Sequence, residues 1–287
     1  AFTNSQPDPN ARAVMQLSVL DWATCGLAGA AEGSFDNFVA TNATNGHCQV
    51  LGGETASPTN AALINGTLSH ALDFDDTHFA HIGHPSVAVV SAALATAQHV
   101  SATTPDMIDA ALIGAEASVS VGLWLGRDHY QVGYHQTATA GAFGATLAAA
   151  RLLKLTPLQV RAALGLASTM ASGLKSQFGT MGKPLNAGLA ARCGVEAAMW
   201  AASGMTSADD GLQGPLGFGA THHGQNNPTE IGQGAWQMET VSHKFHACCH
   251  GLHAMLEALD EINLDPKTIE TIKVRTHPRW LSVCNIK

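Results

Sequence analysis

Apolar residues recur along this chain with a helical period and almost nowhere with a strand period. Stretches such as VAVVSAALATA and AGAFGATLAAARLL space Ala, Val, Leu and Gly three and four apart, between polar punctuation. The pattern predicts helices near residues 10–30, 57–72, 86–99, 104–124, 138–153, 157–172, 186–203 and 248–262. Thr before Pro at Thr104-Pro105 and Thr156-Pro157 marks two helix starts, because Pro suits the first turn. Residues 204–219 and 222–234 are rich in Gly, Asn and Asp and read as loops. The texture changes near the C-terminus. There TIETIKVRT (268–276) alternates like a strand, after the turn-like Leu264-Asp265-Pro266. A lone strand is not stable, so this one predicts pairing with another chain or the start of a second, β-containing domain.

Composition sharpens the picture. With 46% hydrophobic residues among 287, the chain can bury a large core in one or two domains. Aromatics are only 6% and Gly and Ala abound, which predicts closely packed helices. The apolar runs are interrupted before the roughly 18 residues a bilayer requires, so no membrane-spanning helix is expected. The opening AFTNSQPDPNARAV lacks the basic start and apolar core of a secretory signal. Six cysteines without framework spacing read as reduced thiols, and the expected location is the cytoplasm. The net charge of −8 argues against nucleic acid as a partner. The charge is also unevenly spread, with no Lys or Arg between Arg12 and Arg127. An anionic substrate would draw on later cations, of which Lys175, Lys183, Arg192 and Lys244 are candidates.

Four segments concentrate chemistry. The first, SHALDFDDTHFAHIGHPS (69–86), holds His70, Asp73, Asp75, Asp76, His78, His81 and His84. Only 13% of the chain is charged, so such density favours acid–base work over solubility. The carboxylates could instead cap the next helix. The three-residue spacing of His78, His81 and His84 raises a metal site, but no standard ligand set is complete. The second segment, DHYQVGYHQTAT (128–139), places His135, Thr137 and Thr139 at a helix N-terminus, where N–H groups attract carboxylates. His135 as a helix cap is the alternative. The third, GTMGKPLNAGLAARCG (179–194), sets Lys183 at the unfavourable end of a helix dipole, which an anion would explain; a solvated turn lysine would also fit. The fourth, SHKFHACCHGLH (242–253), holds Lys244, Cys248, Cys249, His250 and His253. Adjacent cysteines do not suit zinc, and Cys249 and His253 would line one side of a helix start.

HALDFDDTH with HPS, GYHQTATAGAFGATLAAARLL, GTMGKPLNAGLAARCGVEAA and the K-x-x-ACC-x-x-x-H segment together resemble the MmgE/PrpD family, which includes cis-aconitate decarboxylase, 2-methylcitrate dehydratases and iminodisuccinate epimerase. The resemblance implies a mainly α fold: a large all-helical domain (1–266) and the start of a smaller α+β lid (267–287). It implies a homodimer, no cofactor and no metal. It places the decarboxylase's aspartate, threonine and histidine on Asp73, Thr77 and His84. Spacing one residue longer leaves His81 as an alternative to His84. Further carry-over falls on His135, Lys183 and Lys244, and on Tyr130 as the epimerase's acid/base. A decarboxylase histidine aligns with Cys249, a departure that weakens an assignment to cis-aconitate; the adjacent His250 would point elsewhere on a helix. The implied activity is a lyase, dehydratase or decarboxylase, on a small di- or tricarboxylate, with Lys183, Lys244, Thr77 and Cys249 binding substrate. An epimerase and a non-catalytic carboxylate-binding protein are the alternatives.

Overall fold

The computed structural model describes residues 7–43, 45–224, 235–263, 265–280 and 284. The fold is mainly α. Helix α1 (Pro9–Ala31) and the short α2 (Asp36–Asn42) lead to a two-stranded hairpin, β1 (Cys48–Gln49) with β2 (Thr55–Ala56). Then follow α3 (Pro58–Ser69), α4 (Val87–His99), α5 (Thr104–Val132), α6 (Gln136–Leu152), α7 (Pro157–Met170) and α8 (Gly182–Ala202). The short α9 (Phe218–Thr221) and α10 (His253–Asp260) complete the helices among the described residues.

Helix α6 is the axis of the domain, packed by α4, α5, α7 and α8. All but one of its residues are buried, as an all-round apolar helix requires. Its neighbours approach closely because side chains are missing where helices cross. A Cβ added to Gly144 on α6 would lie 2.5 Å from the carbonyl oxygen of Gly114 on α5. We expect Gly144→Val to destabilise the fold by about 3 kcal/mol, because backbone cannot yield as a side-chain tip would. Urea denaturation checks this; an unchanged midpoint would show that the α5–α6 contact is slack.

Local signals fix most boundaries. Thr156 caps α7 in a reciprocal box with Gln159, as the Thr-Pro pair predicted. For α5 the cap is Thr103, one residue before the predicted Thr, because Asp106 stands three residues on from it and completes the box. Helix α5 also runs past 124 to Val132 through Gly126, whose φ of 70° only Gly adopts cheaply. At 29 residues α5 is long and apolar enough to cross a membrane, contrary to the sequence expectation, but 89% of its most apolar window is buried inside the protein.

The C-terminal expectations need correction. Residues 269–277 form no strand; a short 3-10 turn (Pro266–Thr268) precedes them, and no strand lies beside them among the described residues. Alternation alone supplies no ladder partner. The predicted helix at 248–262 begins only at His253, after a 3-10 turn over His250–Leu252. The predicted loop at 204–219 contains the first residues of α9, and most of the 222–234 loop lies outside the described residues.

Candidate active site

The α3–α4 connection, the starts of α6 and α8, and the 242–250 segment surround one cavity of about 930 Å³. His70, Asp73, His84, His135, Lys183 and Lys244 all line it, and so do Thr77, Tyr130 and Cys249. Its centre of charge is one oxygen. Lys183 Nζ donates to Asp73 Oδ1 at 2.6 Å, His84 Nε2 lies 3.3 Å from the same atom, and Lys244 Nζ lies 3.6 Å away. Lys244 also donates to the Asp73 backbone carbonyl. Asp73 adopts φ 54°, a left-handed conformation in which Asp is tolerated better than most residues. Burial pushes the Asp73 carboxyl up, but Lys183, His84 and Lys244 outweigh it and hold it well below its ordinary range.

Each cation has a local reason for its place. Lys183 is the second residue of α8, where the helix dipole repels it and Asp73 supplies the compensating anion. The side chain of Lys244 is 1% exposed, and such a buried ammonium needs the partners it has. Its segment is tied to the Asp/His loop by paired backbone bonds, Thr77 N to Ser242 O (2.9 Å) and Ser242 N to Thr77 O (2.8 Å). The Thr77 hydroxyl lies 2.6 Å from His250 Nδ1. Arg192 is elsewhere, paired along α8 with Glu196 at 2.7 Å.

The histidines separate into distinct roles. His84 lines the cavity and places Nδ1 3.0 Å from Asp75 Oδ2. Burial alone would lower its pKa, but the Asp75 charge and the hydrogen bonds that its ring donates to Asp73 and Asp75 raise it overall. His81 is fully buried and does not line the cavity; its ring occupies the space over Gly122, where a Cβ would lie 1.9 Å from Nδ1. Of the two, His84 is the one that lines the cavity, and a missing side chain on α5 makes room for His81 away from it. His135 takes the N-cap position of α6 without a side-chain capping bond, so it is free of that structural role. Tyr130, just past the Gly126 bend, has Lys175 Nζ 3.7 Å above its ring, and burial, then Cys249, raises its pKa to about 12. The phenol therefore stays protonated at neutral pH.

Three residues that sequence reasoning left out belong here. His70 lines the cavity and bonds Asp75 through Nδ1 at 2.9 Å. Asp75 stands behind it, 1% exposed. His250 lines the cavity beside Cys249, because the chain there is a 3-10 turn and not the expected helix. The dense motif pointed at the first two without ranking them; nothing in sequence pointed His250 inward.

His78, His81 and His84 do not converge: His78 Nε2 lies 2.9 Å from Thr240 Oγ1. The donors that do gather are His70, Asp73, Asp75 and His84, within 4.8 Å of one another. Asp75 is engaged by two imidazoles and Asp73 by two ammonium groups, so a divalent cation would have to displace or face them.

Fold and cavity together define a class: a mainly α-helical domain with a cavity lined by lysines, histidines and an aspartate. The chain belongs to the MmgE/PrpD family, and residues 2–231 match the MmgE/PrpD N-terminal domain. Cis-aconitate decarboxylase of Aspergillus terreus is 32% identical over 266 residues, covering 85% of this chain and 54% of that protein. The cis-aconitate decarboxylase-like protein oryM of Aspergillus oryzae is 29% identical over 271 residues, covering 85% and 55%. Human cis-aconitate decarboxylase is 32% identical over 169 residues, covering 57% and 35%. The chain spans about half the length of the fungal relatives it matches.

Proposed function

We propose that this pocket serves a cofactor-independent lyase acting on a small di- or tricarboxylate, with cis-aconitate the first substrate to test. The observation that carries the reading is the convergence of Lys183, Lys244 and His84 on a single carboxylate oxygen in a cavity of about 930 Å³, with ample room for such an acid. Ammonium groups so placed bind a substrate carboxylate and stabilise the negative charge that develops on it when an adjacent carbon loses a proton or CO₂. His84, whose pKa is raised by its contacts with Asp75 and Asp73, and Tyr130, held protonated, are donors to a leaving hydroxyl or a carbanion. The named activity of the relatives supports decarboxylation; Cys249, where the decarboxylase pattern has histidine, favours keeping dehydration beside it. A third reading, epimerisation, draws on the cation beside Tyr130, though Lys175 stacks on the ring and donates to the Tyr130 carbonyl.

Proton NMR of the purified protein with citrate, 2-methylcitrate, cis-aconitate and iminodisuccinate in D₂O tests this. We expect one acid to lose CO₂, with deuterium entering the product, or to lose water, with the alkene signal of its product appearing. Neither turnover nor ligand line-broadening with any of the four would end the carboxylate reading. We further expect activity to survive EDTA; loss to chelator with restoration by zinc or iron would overturn the metal-free assignment. The family resemblance also suggests a homodimer, which size-exclusion with light scattering checks.

A further inference from the structure

Four lysine and arginine side chains line the cavity, and only two of them have a carboxylate. Lys183 and Lys244 meet at Asp73. Arg127 and Lys175 line the same cavity, and neither forms an ion pair among the described residues. Glu32, the other acid in the lining, is exposed and pairs with neither. The fold turns this second pair of cations inward. Gly126 bends α5, and the helical segment after it carries Arg127, Tyr130 and Gln131. Their spacing of three and four residues puts them on one helix face, and all three line the cavity. Lys175 comes from a 3-10 turn, Lys175–Gln177. Its backbone N–H donates to the Gly133 carbonyl at 2.8 Å, which ties that turn to the end of α5.

Lys175 Nζ donates to the Tyr130 carbonyl at 3.1 Å and lies 3.7 Å from the centre of the Tyr130 ring. These contacts hold the ammonium in place but bring no negative charge. An ammonium has three N–H donors, so a carbonyl and a ring face leave one over. Burial lowers the Lys175 pKa, the mark of a charge partly stripped of water, and a bound anion would offset that cost. The Tyr130 hydroxyl lies within electrostatic reach of both groups of charge. Burial raises its pKa most; Cys249, Cys284 and Asp73 add to the rise, and Arg127 draws it back. We propose that Arg127, Lys175 and the Tyr130 hydroxyl form a second anion subsite, which holds a substrate carboxylate remote from the reacting carbon, so that the preferred substrate is a tricarboxylate. The proposal rests on the carboxylate reading above, and on neither decarboxylation nor dehydration in particular. Lys183 and Lys244 serve the carboxylates next to the reacting carbon. The planar guanidinium of Arg127 suits two-oxygen capture of the one further along, with Lys175 and the phenol as added donors. An acid with three carboxylates fills both groups of cations, and an acid with two forgoes one. A remote carboxylate on fixed cations also orients the reacting end without taking part in the bond changes.

Calorimetry with two acids separates the subsites. Tricarballylate carries three carboxylates; methylsuccinate is the same skeleton without one terminal carboxylate. We expect the wild type to bind tricarballylate at least about tenfold more tightly, the usual worth of a charge-assisted contact. Arg127→Gln and Lys175→Met should each raise the tricarballylate Kd by about tenfold and leave the methylsuccinate Kd within about twofold, because only the third carboxylate loses its partner. Lys175→Arg should keep the wild-type preference, and Lys183→Met should weaken both acids. Arg127 is exposed and in no ion pair, so its variant decides the matter even if Lys175→Met disturbs the turn beside Tyr130. Equal affinity of the wild type for the two acids overturns the subsite. Parallel losses for both acids in Arg127→Gln overturn it too, since a general positive field would then explain them. A selective loss in Arg127→Gln with no turnover of any acid would remove the lyase reading and leave the subsite standing. Failure of the wild type to bind either acid would remove both.

Discussion

Lys183→Met should lower kcat/KM by about 10²–10³-fold, with KM raised at least about tenfold, because a charge-stabilising donor in an enclosed site is removed. Methionine keeps most of the volume, so the loss isolates the charge. Asp73 would then lose its closest partner, the ammonium 2.6 Å away, and burial would push its carboxyl back up. Lys244→Met should show the same kinetic loss with an added structural signature. Lys244 Nζ donates to the Asp73 backbone carbonyl, so its removal also frees the strained turn at Asp73. We expect a lower Tm for Lys244→Met than for Lys183→Met. Steady-state kinetics with thermal melts check both; wild-type KM and kcat in either variant would take that lysine out of the site.

The helices were legible because the apolar period is long and unbroken, and the Thr-Pro starts agree with it at α7. The short α2 and the two-residue strands were not, since seven residues or fewer give too little period to read. At the site, Lys183 was legible through a physical conflict, a cation at the positive end of α8, which the structure resolves with Asp73. Which loop histidine faces the cavity was not legible. That depends on Gly122, a residue of α5 distant in sequence, whose lack of a side chain admits the His81 ring. The sharing of Asp75 between His70 and His84 was equally hidden, because only the fold brings the three side chains together. The segment 268–276 shows the opposite failure: the alternating pattern of a strand is present, but no strand forms and no partner lies beside it among the described residues.

Asp73→Asn should move the alkaline limb of the kcat/KM–pH profile to lower pH and reduce kcat by about 10²–10⁴-fold, the range for losing a positioned proton-transfer arrangement. Asn is nearly isosteric and tolerates the same left-handed backbone, here φ 54°, so the turn itself should survive. What changes is charge. In the native site burial depresses the His84 pKa, and Asp75 with Asp73 raises it overall. A reaction that needs the His84 cation is therefore active below that raised pKa and fails as pH rises through it. Removing the Asp73 charge takes away one of the two carboxylates that hold the proton, so the failure comes at lower pH. Asp73 itself cannot produce this limb, because its own pKa lies well below the ordinary carboxylate range and it stays ionised across neutral pH. The variant should also bind citrate more tightly than wild type, since Lys183, Lys244 and His84 lose the internal carboxylate that occupies them. An unshifted alkaline limb in a folded Asp73→Asn would mean that another group carries the titrating proton, and weaker citrate binding would mean that Asp73 orders the lysines instead of competing for them.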